Sequence, residues 1–321
     1  MAMELIWGLH NLRPRHRGCV ATIGNFDGVH LGHQQVLGQL AMQSGLYGVP
    51  TLVITFEPHP QEYFVPNYAP PRLTRFREKV EILRRYSVNR LLCLRFNAQM
   101  ANLAAEDFIE QVLVTGLGVR YLVIGDDFCF GSKRRGNFAM LQHAGAAFNF
   151  PVVTLHTFCI DQVRVSSTGV REALRQGDLG GAEKLLGRPY RMAGRVAHGN
   201  QQGRIIGFPT ANLFLHRHTL PLSGVYAVEM FGIPGEPLPG VANVGLRPTV
   251  GGNQALLEVH LFDFNSNIYG YHVEVDFLRK LRDERKFSSF DTLRIQILRD
   301  VDQARSFFAD RRKSPTKSII C

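Results

Sequence analysis

Two histidines three residues apart, His30 and His33, close the stretch TIGNFDGVHLGH at residues 22–33. On a helix that spacing sets both imidazoles on one face of a single turn. An open helix N-terminus offers unpaired N–H groups and positive potential, which suits phosphate. Paired imidazoles beside it can hydrogen-bond phosphate oxygens and stabilise negative charge as it builds. Gly24 and Gly28 supply backbone freedom where the chain reverses and a ligand must come close. Gly32, between the histidines, leaves room for a third party. The same residues also fit a capped surface helix or a metal pair, but no third His, Cys or acidic ligand stands nearby.

Three further groups carry chemistry. Ser166, Ser167 and Thr168 precede a helix with Arg171 and Leu174, and such hydroxyls commonly serve as N-caps. The stretch GNQQGRIIGFPTANL, Gly199–Leu213, is glycine-rich enough at Gly199, Gly203 and Gly207 to wrap a phosphate with backbone N–H groups. Thr210 and Asn212 alternate in an extended segment, so both oxygens can face one hard cation. A Gly/Pro loop followed by a polar strand fits this stretch equally well. Glu258 leads EVHLF, where Val259 and Leu261 form the apolar opposite face. A carboxylate there is a surface group or a catalytic base. No GxxxxGK[ST] and no strand-coupled GxGxxG occurs in the first half, so phosphates must be held by other means.

The elements that position these groups change character along the chain. A strand Cys19–Ile23 leads into a turn Asn25–Gly28 and a helix opening near His30, with Val36, Leu37, Leu40 and Ala41 as its apolar stripe. Then follow the β-branched run VPTLVITFEPHP, a charged helix Arg75–Tyr86 and a strand Arg90–Arg95. A helix spans about Glu106 to Val114, with Phe108, Ile109, Val112 and Leu113 buried. It precedes a strand Arg120–Ile124, a helix Phe138–Ala147 and a strand Pro151–Thr157. This alternation predicts a parallel sheet with helices on both faces and ligands beyond the C-terminal strand ends. The HxGH stretch and GDDFCFG, Gly125–Gly131, both lie just past strand ends and could share one crevice. Beyond Arg191, period-two runs separated by Gly, Pro and Asn predict a small antiparallel barrel. A last amphipathic helix opens at Ser288 or Ser289. The boundary falls near residue 187, giving domains 1–186 and 187–312, with 313–321 as a disordered basic tail.

Composition narrows the classes. A chain of 321 residues with 45% hydrophobic side chains can build one large or two ordinary cores. No apolar run reaches membrane-spanning length, and MAMELIWGLHNLRPRHRG has no signal-peptide core, so a cytoplasmic protein is expected. Cysteines at 19, 93, 129, 159 and 321, without a CxxC pair, read as reduced thiols. A net charge of +10 favours nucleic acid or polyphosphate partners.

TIGNFDGVHLGH resembles the GxFDGxHxGH signature of the nucleotidyltransferase superfamily, and more closely the bacterial bifunctional riboflavin kinase/FMN adenylyltransferase (FAD synthetase) family. RVSSTGVREAL resembles that family's SSTxxR element, GDDFCFG its GxDFxFG loop, and GFPTAN its riboflavin kinase signature. The resemblance implies an α/β nucleotidyltransferase domain of Rossmann-like HxGH type, followed by an antiparallel β-barrel kinase domain with a C-terminal helix. It implies riboflavin, FMN and ATP as substrates, FMN and FAD as products, and Mg²⁺ accompanying ATP. His30, His33 and Arg171 would act in adenylyl transfer, and Glu258 would be the base towards the ribityl 5′-hydroxyl. Gly24, Asp27, Gly28, Asp127, Ser167, Thr168, Gly199, Gly203 and Gly207 would line ATP or its phosphates. Phe56, Pro58 and His59 would line the flavin side in the first domain, and Arg282 or Arg285 in the second. Thr210 and Asn212 would hold Mg–ATP. Two departures from the family pattern are Cys129, often a basic or hydroxyl residue, and Ala104, where Ser or Thr often caps and Asn102 is the substitute expected here.

Three other readings are discriminable. One module could be degenerate, which the intact motifs in both halves argue against. An RNA-binding HxGH protein would carry a KMSKS-like loop and a basic-aromatic stripe; SSTGVR stands here instead, so no nucleic-acid partner is expected. A flavin-storage protein would bind flavin without consuming ATP. Neither a membrane partner nor a particular oligomeric state is implied.

Overall fold

The computed structural model describes residues 3–199, 207–249 and 252–313. By contacts it divides into two compact units, Met1–Ser167 and Thr168–Cys321.

In the first unit, β1 (Glu4–Trp7), β2 (Cys19–Ile23), β3 (Thr51–Glu57), β4 (Arg90–Arg95), β5 (Val119–Gly125) and β6 (Val152–Leu155) form one parallel sheet ordered β1-β4-β3-β2-β5-β6. Its central strands β4, β3, β2 and β5 are largely buried on both faces, as parallel strands require. Cys19, Ala21 and Ile23 join Leu52, Ile54, Leu122 and Ile124 on one face, under Phe108, Ile109, Val112 and Leu113. Val20, Val53, Leu91 and Val123 meet Val36, Leu37 and Leu40 of α1 (Leu31–Tyr47) and Val80 and Leu83 of α3 (Phe76–Arg85) on the other. A short helix α2 (Pro60–Phe64) follows β3. After β2 the strand order runs outward through β3 and β4, then returns to β5 on the opposite side. Such a reversal opens a crevice at the C-terminal strand ends. The HxGH turn leaves β2 at that point and GDDFCFG leaves the neighbouring β5.

The expected helix over 106–114 is a short α5 (Ala105–Phe108), after α4 (Ala98–Asn102), and it widens into a π-helix, Ile109–Gly116. Gly116 permits the wide turn, since a β-carbon there would lie 2.7 Å from the Gln111 carbonyl oxygen. Asn102 does not cap α5. Its Nδ2 donates to the Ala98 carbonyl of its own helix, and Ala104 takes the N-cap without a side-chain bond. α6 (Phe138–Phe148) is capped by Asn137. The hairpin β7 (Cys159–Ile160) and β8 (Val163–Arg164), like β1, carries no clear period in the sequence and was not anticipated by it.

In the second unit, α7 (Ser167–Gln176) and α8 (Leu179–Leu186) precede β9 (Tyr190–Ala197), β10 (Ala211–Phe214), β11 (Gly224–Phe231), β12 (Leu238–Thr249), β13 (Gly252–Leu261) and β14 (His272–Arg282). These strands close into an antiparallel barrel ordered β10-β13-β12-β11-β14-β9. The sequence division at 187 marks where helix–strand alternation stops. The contact division falls earlier because α8 packs on β9 and β14. The last helix α9 (Phe290–Lys313) starts at Ser289, whose Oγ accepts from Thr292 N at 3.2 Å. It lays Val301, Ala304 and Phe308 on Val225, Ala227 and Val241 of the barrel wall. Lys313 ends this helix rather than opening a tail, and 314–321 lie outside the described residues.

Asp300 of α9, 2% exposed, accepts from Arg282 Nε at 3.0 Å and Nη2 at 2.8 Å, and from Gln296 Nε2 at 2.7 Å. Arg285 also donates to Gln296. Asp300→Ala leaves a largely buried guanidinium unpaired, which is expected to cost about 3 kcal/mol. The far-UV circular dichroism transition in urea should move to lower concentration. The fluorescence midpoint of Trp7, the chain's single tryptophan and a first-unit residue, should hold. An unmoved dichroism transition would show that α9 does not depend on this pair.

Candidate functional sites

Helix α1 begins where the sequence places it. His30 is its N-cap, accepting from His33 N through Nδ1 at 3.3 Å. That bond leaves the ring proton on Nε2 and makes Nε2 the donor. His30 and His33 stack at 3.7 Å between ring centroids, and His33 lies 4.8 Å from the Phe26 ring. Burial, then the neighbouring His30 and Lys79 charges, hold the His33 imidazole well below the ordinary histidine range. Its Nδ1 is buried with no hydrogen-bond partner among the described residues. The space at Gly32 is taken by His30 itself, since a β-carbon at 32 would lie 3.3 Å from that ring.

The turn before the helix is held from inside. Asp27, 3% exposed, accepts from Leu73 N at 3.1 Å, Thr74 N at 2.9 Å and Thr74 Oγ1 at 3.1 Å. Gly28 N donates to Thr74 Oγ1 at 3.0 Å. Asp27 therefore ties the turn to the start of α3 rather than presenting its carboxylate to phosphate. Its carbonyl accepts from Ser167 Oγ at 2.8 Å, which brings Ser167 onto the HxGH turn. Phe26 and Val29, both buried, are left-handed at φ 48° and 44°, and Gly28 at 82°. A β-carbon at Gly24 would crowd the Phe26 ring at 3.1 Å.

The expected flavin side of this unit is partly structural. Phe56 packs edge-on to Phe96 at 5.7 Å. Pro58 is exposed and follows a cis peptide bond. His59 caps α2, accepting from Gln61 N at 3.2 Å. Arg72 clamps Glu57 at 2.7 and 2.9 Å and also pairs with Glu62. Lys79, 3% exposed, donates to Thr55 Oγ1 at 3.4 Å. Asp127 is exposed and paired with Arg164 at 2.6 Å, while Asp126 accepts from Thr157 N and Oγ1. Thr168 and Arg171 share α7, three residues apart on one face.

In the barrel, Asn212, Glu258 and Asn243 form one cross-strand row over β10, β13 and β12. Alternation sends Leu257 and Val259 inward, both 0% exposed, and the row outward. Glu258 lies well inside β13, not at its start, because pairing with β12 runs on to Thr249 and Gly252. Asn212 Nδ2 donates to the Thr210 carbonyl at 3.3 Å. Gly199 passes close over Asn212, where a β-carbon would meet its amide at 2.5 Å. His260 Nδ1 lies 2.9 Å from the Pro209 carbonyl and fixes the GFPT segment to β13. Asn243 Oδ1 is buried without a partner among the described residues. Gly207 is left-handed at φ 88°, and Gly203 lies outside the described residues. Arg282 and Arg285, expected at the flavin, pair with Asp300 and Gln296 of α9.

Residues 12–169 match the FAD synthetase family, and residues 186–308 match riboflavin kinase. A bifunctional riboflavin kinase/FMN adenylyltransferase of Haemophilus influenzae is 54% identical over 306 residues, covering 95% of this chain and 99% of its own. The chain belongs to that family. The Escherichia coli (strain K12) member of the bifunctional riboflavin kinase/FMN adenylyltransferases is 49% identical, with 95% and 98% covered. A solved Streptococcus pneumoniae structure, described as a macrolide-efflux protein, is 32% identical with a TM-score of 0.80, covering 95% of this chain and 99% of that one.

Membership in this family leaves several local residues that motif reading passed over. Lys79 has a signal, for it falls on the buried stripe of α3 with Val80 and Leu83. Arg72 and Arg247 have none, because their partners lie elsewhere in the chain. Arg247 Nη2 donates to Glu258 Oε2 at 3.0 Å.

Burial first, with the Lys79 and Arg72 charges adding to it, pushes the His59 imidazole down to about 4. Between pH about 6.5 and about 4 the unfolded chain therefore binds a proton that the folded one refuses. His59 thus contributes no penalty above that window, and stability is lost as pH falls through it. The full shift corresponds to about 3 kcal/mol, and partial solvent access reduces it to about 1–2 kcal/mol. Urea unfolding followed by Trp7 fluorescence should show this acid-side loss, and His59→Gln should flatten it by that amount. Superimposable pH curves for the two proteins would remove His59 as the cause.

Proposed function

We propose that residues 1–186 and 187–312 divide the family's two reactions, with the paired imidazoles serving one and the Glu258 row the other. The chain is a bifunctional riboflavin kinase and FMN adenylyltransferase. In adenylyl transfer, an FMN phosphate oxygen attacks the α-phosphorus of ATP and pyrophosphate leaves with the bonding pair. The observation that carries this assignment is the hydrogen bond from His33 N to His30 Nδ1 at 3.3 Å. With Nδ1 taken by His33 N, a neutral His30 ring carries its proton on Nε2, and this N–H at the helix N-terminus is assigned to the phosphate oxygens that gain negative charge. No covalent intermediate is needed. Ser167, Thr168 and Arg171 are assigned to the phosphates on the leaving side, with Arg171 neutralising pyrophosphate. Gly24 and Gly28 shape the turn, Asp27 acts through it, and Phe56, Pro58, His59 and Asp127 border the flavin and nucleotide.

In phosphorylation, Glu258 takes the ribityl 5′-hydroxyl proton while that oxygen attacks the γ-phosphorus and ADP departs. Mg²⁺ fits the chemistry of the residues present: Thr210 and Asn212 offer neutral hard oxygens. Those two residues would hold the ion, which would neutralise phosphate charge when bound. Gly199 and Gly207, with Gly203, are assigned to the nucleotide loop. Among the described residues no helix is long and apolar enough to cross a membrane. A cytoplasmic setting fits the metabolic role.

Purified protein with riboflavin and Mg–ATP should yield FMN and then FAD on chromatography. His30→Ala or His33→Ala should lower FAD formation by about 10²-fold or more and spare FMN formation. Loss of both in a folded variant contradicts the division. Thr210→Val and Asn212→Ala should raise the Mg²⁺ concentration needed for half-maximal FMN formation, with FAD formation from supplied FMN unmoved. An unchanged Mg²⁺ requirement would take the ion off these residues.

A further inference from the structure

Asn243, Gly245 and Arg247 alternate along the face of β12 that carries Glu258, because Asn243 is the direct cross-strand partner of Glu258. Arg247 stands four residues up the strand, and its guanidinium reaches back to the carboxylate at 3.0 Å. Its other arm donates to Glu284 Oε1 at 2.8 Å. Glu284 lies directly over Gly245, where a β-carbon would come within 2.2 to 2.5 Å of the carboxylate. The missing side chain at 245 is therefore what admits Glu284 to the row. All three charged side chains are about one-third exposed, so ordinary surface pairing would contribute little stability. What the arrangement supplies is direction. A glutamate has three rotatable bonds, and a planar fork pinned at its far side restricts the carboxylate it holds.

We propose that Arg247, pinned by Glu284 in the gap at Gly245, is a positioning residue that aims Glu258 in riboflavin phosphorylation. The inference rests on the reading of Glu258 as the base. A fork held on one side only would leave the base free to rotate from the hydroxyl it must meet, and misplacement of that order is costly in turnover. Substrate binding does not pass through Arg247.

The test is steady-state FMN formation by the full chain, with folding checked by circular dichroism. Arg247→Met should lower kcat about tenfold or more and keep the riboflavin KM within about threefold. Arg247→Lys should recover part of the loss, since an ammonium reaches one carboxylate but lacks the fork. Glu284→Gln and Gly245→Ala should share the direction with smaller falls, one weakening the pin and the other displacing it. Because Arg247 acts through Glu258, Arg247→Met added to Glu258→Gln should cost little beyond Glu258→Gln alone. Multiplicative losses in the double variant, or a raised KM with kcat intact, overturn the positioning role while leaving Glu258 as the base. Undiminished turnover in Glu258→Gln alone overturns the base and the positioning role together.

Discussion

A carboxylate withdrawn from water must find donors, and Asp27 draws three from residues 73 and 74, more than forty positions along the chain. Its backbone carbonyl takes a fourth bond from Ser167, 140 residues away. One aspartate thus gathers the end of β2, the start of α3 and Ser167. The N-cap at His30 and the stack with His33 follow from where that turn is pinned. Charge is handled here by covering it, because bonds to a buried charged group are stronger than neutral ones.

The barrel site is organised by a different means. Asn212, Glu258 and Asn243 stand in line because backbone ladders fix neighbouring strands about 4.8 Å apart, so their spacing is set before any side chain is chosen. The register also decides which residues face outward. A one-residue slip of β13 would carry Glu258 into the apolar interior and Val259 out of it. The first site depends on side-chain bonds between distant segments, and the second on main-chain bonds between neighbours.

That difference governs how much could be read from sequence. β2 and β4 were legible to the residue, and the barrel strands in their alternation though not in their ends, because burial imposes a period that the sequence displays. The HxGH and GFPTAN stretches were legible because their chemistry is local. Asp27 was assigned to ATP by resemblance, and its bonds to residues 73 and 74 could not be read there because a motif does not reveal a distant partner. Arg282 and Arg285 were assigned to the flavin by resemblance, and their pairing with Asp300 and Gln296 of a later helix could not be read from sequence. Arg247 and Glu284 meet across 37 positions with no motif between them. The π-helix at Ile109–Gly116 keeps the predicted buried residues and alters only the winding, to which hydrophobic pattern is nearly blind.

Phe26 and Val29 occupy left-handed backbone that bulky and β-branched residues avoid, at about 1–3 kcal/mol each. Both rings and methyls are nonetheless sunk in the core beside α1. Glycine at either position would ease the backbone but forfeit the contacts that seat the turn. The segment therefore resembles a drawn spring with Asp27 as its catch. Selection for an easily formed loop and selection for a stiff cradle pull against each other at these two side chains.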